Sequence, residues 1–139
     1  MPQDGIILFV CEHGAAKSIV AATYFNKIAR EMGLDLRAIA RGTNPDDEFT
    51  PKAMTGLLED GLMPTEPMPQ KLSLADIESV QQVITFCELP LEYKKIVAIE
   101  RWDGVPAVSE NFEKARDVII ARLNQLIQEI SDSQKRRII

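Results

Sequence analysis

Ile6-Ile7-Leu8-Phe9-Val10-Cys11-Glu12-His13-Gly14-Ala15-Ala16-Lys17-Ser18 is the stretch that decides how this chain folds. Its first five residues are apolar and β-favouring without interruption, the pattern of a central parallel strand covered on both faces. From Ser18 the period changes. Ala21, Phe25, Ile28 and Met32 recur along one face of a helix, and Gly33 stands where a helix C-terminus ends. Between strand and helix, the small residues Gly14, Ala15 and Ala16 let backbone N–H groups converge on one point. The start of the helix adds unpaired amides and a partial positive charge. Together these groups favour a tetrahedral oxyanion such as phosphate, sulfate or arsenate. The same field favours negative charge on sulfur, which makes Cys11 a candidate nucleophile aimed at the anion. Lys17 adds a positive charge, and the Ser18 hydroxyl can reach the sulfur. The competing reading is a buried, inert cysteine at a strand end. The gathering of Cys, Gly, Lys and Ser at one strand–helix junction favours the anion site.

Working outward, residues 36–40 read as a second strand. Thr50 is placed to cap a helix with Pro51 at its first position, and Gly61 ends it. Residues 64–69 hold three prolines and form a loop or edge segment. A short helix is expected over 73–78, and strands over 80–87 and 95–99. Ser109 is expected to cap a long last helix in which Phe112, Ile119, Leu123, Leu126 and Ile130 keep the helical period. The polar, basic end, 131–139, reads as a frayed tail. Strands alternating with helices imply a three-layer α/β/α domain spanning 1–139, with a parallel sheet and its site at the carboxyl ends of the strands. Val10 ends the first strand, so the loop of Cys11, Glu12, His13, Gly14, Ala15, Ala16, Lys17 and Ser18 is the expected oxyanion-binding loop.

Composition narrows the partners. The chain has 139 residues, 45% of them hydrophobic and 27% charged, and a net charge of −5. Neither nucleic acid nor an anionic membrane is expected, and any anion site must be local. The basic run Lys135-Arg136-Arg137 is too short to alter this. Two cysteines, Cys11 and Cys87, do not make a disulfide scaffold, and no Cys/His cluster has zinc spacing. Neither a metal nor a cofactor is expected. The N-terminus lacks a basic region of signal-peptide type, so the expected setting is the reducing cytoplasm.

At this point the chain resembles a family. Ile7-Leu8-Phe9-Val10-Cys11, five residues, then Lys17-Ser18, is similar to the signature of the low-molecular-weight protein tyrosine phosphatases and the related thioredoxin-coupled arsenate reductases: an apolar strand, then Cys-x5-Arg-Ser/Thr. Ala40-Arg41-Gly42-Thr43 resembles their Ser-Ala-Gly-Thr turn. Residues 51–61 resemble their next helix. Val83-Ile84-Thr85-Phe86-Cys87 resembles the arsenate reductases' Val-Val-Thr-Leu-Cys strand, and 101–106 the Trp-containing loop that carries the general acid. The resemblance implies a four-stranded parallel sheet of flavodoxin-like layout. It also implies that Cys11 attacks a phosphomonoester or arsenate, small-molecule or protein-borne, with Lys17 and Ser18 assisting.

Three departures stand out. Lys17 occupies the arginine position, and lysine is a point charge without arginine's planar fork. His13-Gly14 replaces Gly-Asn. Val105, not Asp, precedes Pro106, which leaves Asp103 as the nearest candidate acid; Asp103-Gly104 equally reads as a turn. Trp102 is either a cleft wall or a loop anchor. By the resemblance Cys87 is a redox partner for Cys11, with an external thiol as reductant, although the family's third cysteine has no counterpart here; an inert thiol is the alternative. His13 either assists proton transfer or is simply solvated. Glu12 is expected to face water, and the acidic run Pro45-Asp46-Asp47-Glu48 to be a solvated loop. Three functions follow: a cysteine-dependent phosphatase or arsenate reductase; a weak or inactive module that binds an oxyanion or phosphoprotein; and a phosphocysteine carrier of sugar-transport type. The last matches only at Cys11-Glu12-His13-Gly14 and fits poorly at Arg41-Gly42-Thr43 and Trp102.

Overall fold

A computed structural model describes residues 5–64, 66–93 and 99–138. The elements run β1 (Ile6–Cys11), α1 (Lys17–Glu31), β2 (Arg37–Gly42), α2 (Pro51–Glu59), α3 (Leu74–Glu78), β3 (Gln82–Thr85), β4 (Ile99–Arg101) and α4 (Phe112–Ile138). The four strands form one sheet in the order β2-β1-β3-β4. Every pairing is parallel, from Ile6 beside Arg37 to Cys11 beside Gly42 on one flank of β1 and from Ile7 beside Gln82 to Val10 beside Thr85 on the other. The architecture is the expected flavodoxin-like one.

β1 is central because both its faces are buried. Ile7 and Phe9 enter a core shared with α1, α2 and α4. Ile6, Leu8 and Val10 enter a second core with Leu72, Ile77, Val80 and Leu89 around α3. This alternation is why the strand reads as an unbroken apolar run. Across the first core, Tyr24 of α1 donates its hydroxyl to Asp60 just beyond α2, and Asp60 accepts from Arg116 of α4 at 3.3 Å. Burial, and then the Asp60 carboxylate, push the Tyr24 phenol above its ordinary value.

The exposed edge at β2 is closed by side chains. Asn26 donates to the Ala38 carbonyl at 3.1 Å and accepts from its amide at 2.7 Å. Glu66 accepts from the Ala40 amide at 3.3 Å, while Arg41 donates to the Ala40 carbonyl at 2.7 Å. The side chains thus take the outward backbone groups that an edge strand would otherwise offer to another chain.

Several boundaries differ from the sequence reading. Met32 sits at the C-cap of α1, 54% exposed, so the buried stripe ends with Ile28, partly buried. α4 is capped by Asn111, whose Oδ1 accepts from Lys114 N at 3.0 Å, and not by Ser109. The helix continues to Ile138, through the segment expected to fray, because no glycine or proline interrupts it. Most of the strand expected at 95–99 lies outside the described residues; the strand there is β4. No helix among the described residues is long and apolar enough to cross a membrane.

Candidate active site

The loop between β1 and α1 rests on the end of β2 through two glycines. Gly14 takes a left-handed φ of +63°, and a Cβ on Gly42 would stand 2.7 Å from Gly14 N and 2.9 Å from the His13 carbonyl carbon. Neither position tolerates a side chain without moving backbone. The following segment then fixes the loop. Thr43 N donates to the Cys11 carbonyl (3.2 Å), Asn44 N to Glu12 (2.7 Å), Asp46 N to His13 (3.0 Å) and Thr50 N to Ala15 (3.0 Å). The loop's carbonyls are thereby drawn to one side.

What remains is an open helix start. Ala16 stands at the N-cap of α1, no side chain caps the first turn, and no acidic residue lies in it. Cys11, at the end of β1, faces this turn, with its Sγ 3.0 Å from Ser18 Oγ. Ser18 is fully buried and Cys11 partly exposed, so the sulfur is held from below and open above.

A cavity of about 330 Å³ lies over the sulfur, lined by Cys11, Glu12, His13, Lys17, Asp46, Thr50, Phe86, Cys87 and residues 107–109, among others. Two larger clefts, of about 630 and 590 Å³, contain neither cysteine nor histidine in their walls. Lys17 is the cation of the Cys11 cavity, and it makes no ion pair among the described residues. The nearby arginines are engaged. Arg41 pairs with Glu66 at 2.9 Å and Asp76 at 3.2 Å. Arg101 pairs with Glu88 at 2.7 Å and Asp103 at 2.8 Å.

The structure brings together Cys11, the loop 12–16, Lys17, Ser18 and Cys87. It does not bring in Asp103, whose carboxylate is 74% exposed, turned to Arg101 and absent from the cavity lining. Nor does Trp102 line the Cys11 cavity. It is 3% exposed, its ring 5.8 Å from Phe9 and 5.9 Å from Phe86, with Arg122 over it at 5.8 Å. Phe86 lines the cavity, so Trp102 supports that wall from behind. Cys87 donates its backbone N–H to Thr85 Oγ1 at 3.1 Å, and its Sγ lies 3.6 Å from the same oxygen. Burial pushes the Cys87 thiol up, and Cys87 lines the same cavity as Cys11.

His13 is 56% exposed, and its Nδ1 lies 3.2 Å from Oδ1 of Asp46, itself 49% exposed, so the acidic run contributes a solvated rim residue. Sequence reasoning missed Asp46, Thr50, Phe86 and residues 107–109. The signal for Asp46 and Thr50 was present, because both follow the carboxyl end of β2. Among the described residues no group of three or more His, Cys, Asp or Glu side chains is arranged for a metal.

A family model described as low molecular weight phosphotyrosine protein phosphatase matches residues 6–105. The chain belongs to this family. The match covers the whole Cys11 loop and argues against the phosphocysteine-carrier reading. No curated protein sequence matches the chain. Solved structures share the phosphatase fold at low identity. YfkJ from Bacillus subtilis is 18% identical over 96% of this chain and 97% of that one, with a TM-score of 0.81. A thioredoxin-dependent arsenate reductase of Corynebacterium glutamicum is 22% identical over 95% of this chain and 64% of its own, with a TM-score of 0.72. The YwlE arginine phosphatase, in a mutant with serine for cysteine and that active-site serine phosphorylated, is 18% identical over 94% of this chain and 98% of that chain, with a TM-score of 0.76.

Proposed function

We propose that the chain is a cysteine-dependent enzyme of oxyanions, with Cys11 attacking a phosphomonoester, or arsenate, held against the start of α1. The observation that carries this reading is the Cys11 sulfur, 3.0 Å from the buried Ser18 hydroxyl, facing a first helical turn that no side chain caps. The Ser18 hydroxyl donates to the sulfur and steadies its charge. The amides and Lys17 hold the equatorial oxygens as negative charge builds on them. The S–P bond forms as the ester P–O bond breaks; water then attacks phosphorus, and phosphate leaves as Cys11 is freed. With arsenate, the Cys87 sulfur attacks Cys11 in the arseno adduct. Arsenite leaves, both cysteines are oxidised to a disulfide, and an external thiol reduces it.

One set of observations favours a second reading, a weak or inactive oxyanion or phosphoprotein binder: lysine at the arginine position, and Asp103 tied to Arg101. Hydrolysis of p-nitrophenyl phosphate and arsenate-dependent thiol consumption, each against Cys11→Ser, separate the two. Turnover that vanishes in the variant supports the enzyme. Phosphate binding without Cys11-dependent turnover in either assay leaves only the binder.

A further inference from the structure

We infer that His13, paired with Asp46, is the general acid of this site, in place of Asp103. The inference rests on the nucleophilic role of Cys11. A thiol attack on an ester of a poor leaving group stalls unless a proton reaches the departing oxygen. The donor must therefore share the cavity with the sulfur. Asp103 does not, since its carboxylate faces Arg101 at 2.8 Å and is 74% exposed.

His13 does share it, only two positions after Cys11 and on the same cavity wall. Its Nδ1 lies 3.2 Å from Asp46 Oδ1. Asp46 thus flanks one ring nitrogen as an ion-pair neighbour and leaves the other for proton transfer to a substrate. That other nitrogen, Nε2, is 3.8 Å from Glu12 Oε2, within ion-pair distance but beyond hydrogen-bond length, so no hydrogen bond occupies it among the described residues. The backbone locks the pair as well, since Asp46 N donates to the His13 carbonyl at 3.0 Å. The charged and titratable groups around the ring are Glu12 and Asp46 beside it, Lys17 and Cys11 from the loop and helix start, and Cys87 across the cavity.

The proton balance closes. Cationic His13 gives its Nε2 proton to the ester oxygen as the P–O bond breaks and the S–P bond forms. Neutral His13 then takes a proton from the water that attacks phosphorus. Sulfur leaves as thiolate, hydrogen phosphate departs, and the imidazole is cationic again. Asp46 touches no reacting atom; it is a positioning residue.

The test compares two aryl esters in the full chain. Dinitrophenyl phosphate has a leaving group that departs without a proton; phenyl phosphate needs one. His13→Gln should lose roughly a hundredfold more kcat/KM on phenyl than on dinitrophenyl phosphate. Asp46→Asn should show the same leaving-group pattern at smaller size, and Asp46→Glu should recover part of it. The inhibition constant for inorganic phosphate reports whether the loop is intact in each variant. An equal loss on both esters, or a leaving-group-dependent loss in Asp103→Asn instead, overturns the histidine assignment alone. Absence of Cys11-dependent turnover of dinitrophenyl phosphate by the unmodified protein overturns the nucleophile reading, and the acid with it.

Discussion

Among the described residues, α2, α3 and α4 begin with a capped first turn, and α1 does not. Thr50 accepts from Ala53 N at the start of α2. Ser73 and Asp76 form a reciprocal capping box at α3. Asn111 accepts from Lys114 N at α4. α1 has Ala16 at that position and no carboxylate in its first turn. A cap on a helix of this kind is worth about 1 kcal/mol. The protein forgoes that contribution at the one helix start that faces Cys11. Three helix starts are satisfied by the chain itself, and the fourth is the one at which we propose a guest anion binds.

The hardest test of this contrast is the loop's seat on β2. In Gly42→Ala the new methyl would meet Gly14 N at 2.7 Å. Because backbone must move, we expect a stability loss of about 1–3 kcal/mol in urea unfolding. Cys11-dependent turnover should fall at least about a hundredfold, since small displacements of a reacting group are costly. Normal turnover in this variant would show that the loop geometry is not what sets up the sulfur.

Next comes an acidic residue at the open helix start. Ala16→Asp puts a carboxylate where the guest anion would bind. Phosphate affinity, read by calorimetry, should fall about tenfold, the equivalent of about 1.4 kcal/mol. Stability should hold or rise. Unchanged phosphate affinity would mean that the anion does not use this turn. The matched change at a structural helix start is Asn111→Ala, expected to cost about 1 kcal/mol of stability and to leave phosphate affinity alone.

The same contrast explains what the sequence could disclose. β1 and the tightness of its loop were legible because a doubly buried strand must be apolar throughout and a loop packed onto a neighbouring strand end must use small residues. Thr50 was legible as a cap because it stands directly before a helical period, whereas Ser73 was read as the first residue of its helix and the structure makes it the cap. Residues defined by partners far along the chain were not. Ser109 and Asn111 are equally good cap types two positions apart, and local sequence does not distinguish them; in the structure Asn111 takes the role. Trp102 read equally as a cleft wall or a loop anchor, and it is contact with Phe9 and Phe86, far along the chain from it, that seats the indole in the core. Asp46 lay in an acidic run that reads as solvated, and only the hydrogen bonds from that segment to the loop carbonyls bring it beside His13.

The middle of α1 offers the smallest effect and the sharpest separation, because there a titrating group serves packing alone. Tyr24 is 4% exposed and donates to Asp60, which Arg116 also holds. Burial first, then Asp60, raise its phenol above the ordinary 10.0. Above pH 10.0 the unfolded chain has lost the tyrosine proton while the folded chain keeps it, so the folded state binds more protons. The contribution is therefore complete below that pH and declines as pH rises past it. We expect the urea midpoint of the unmodified protein to fall across that alkaline range, and the fall to be shallower in Tyr24→Phe. At neutral pH the variant should lose about 1 kcal/mol for the missing hydrogen bond, with phosphate affinity at the first turn unmoved. If phosphate affinity moved as well, the beginning of α1 would be coupled to its middle, and the division between an anion-facing turn and a structural helix would have to be redrawn.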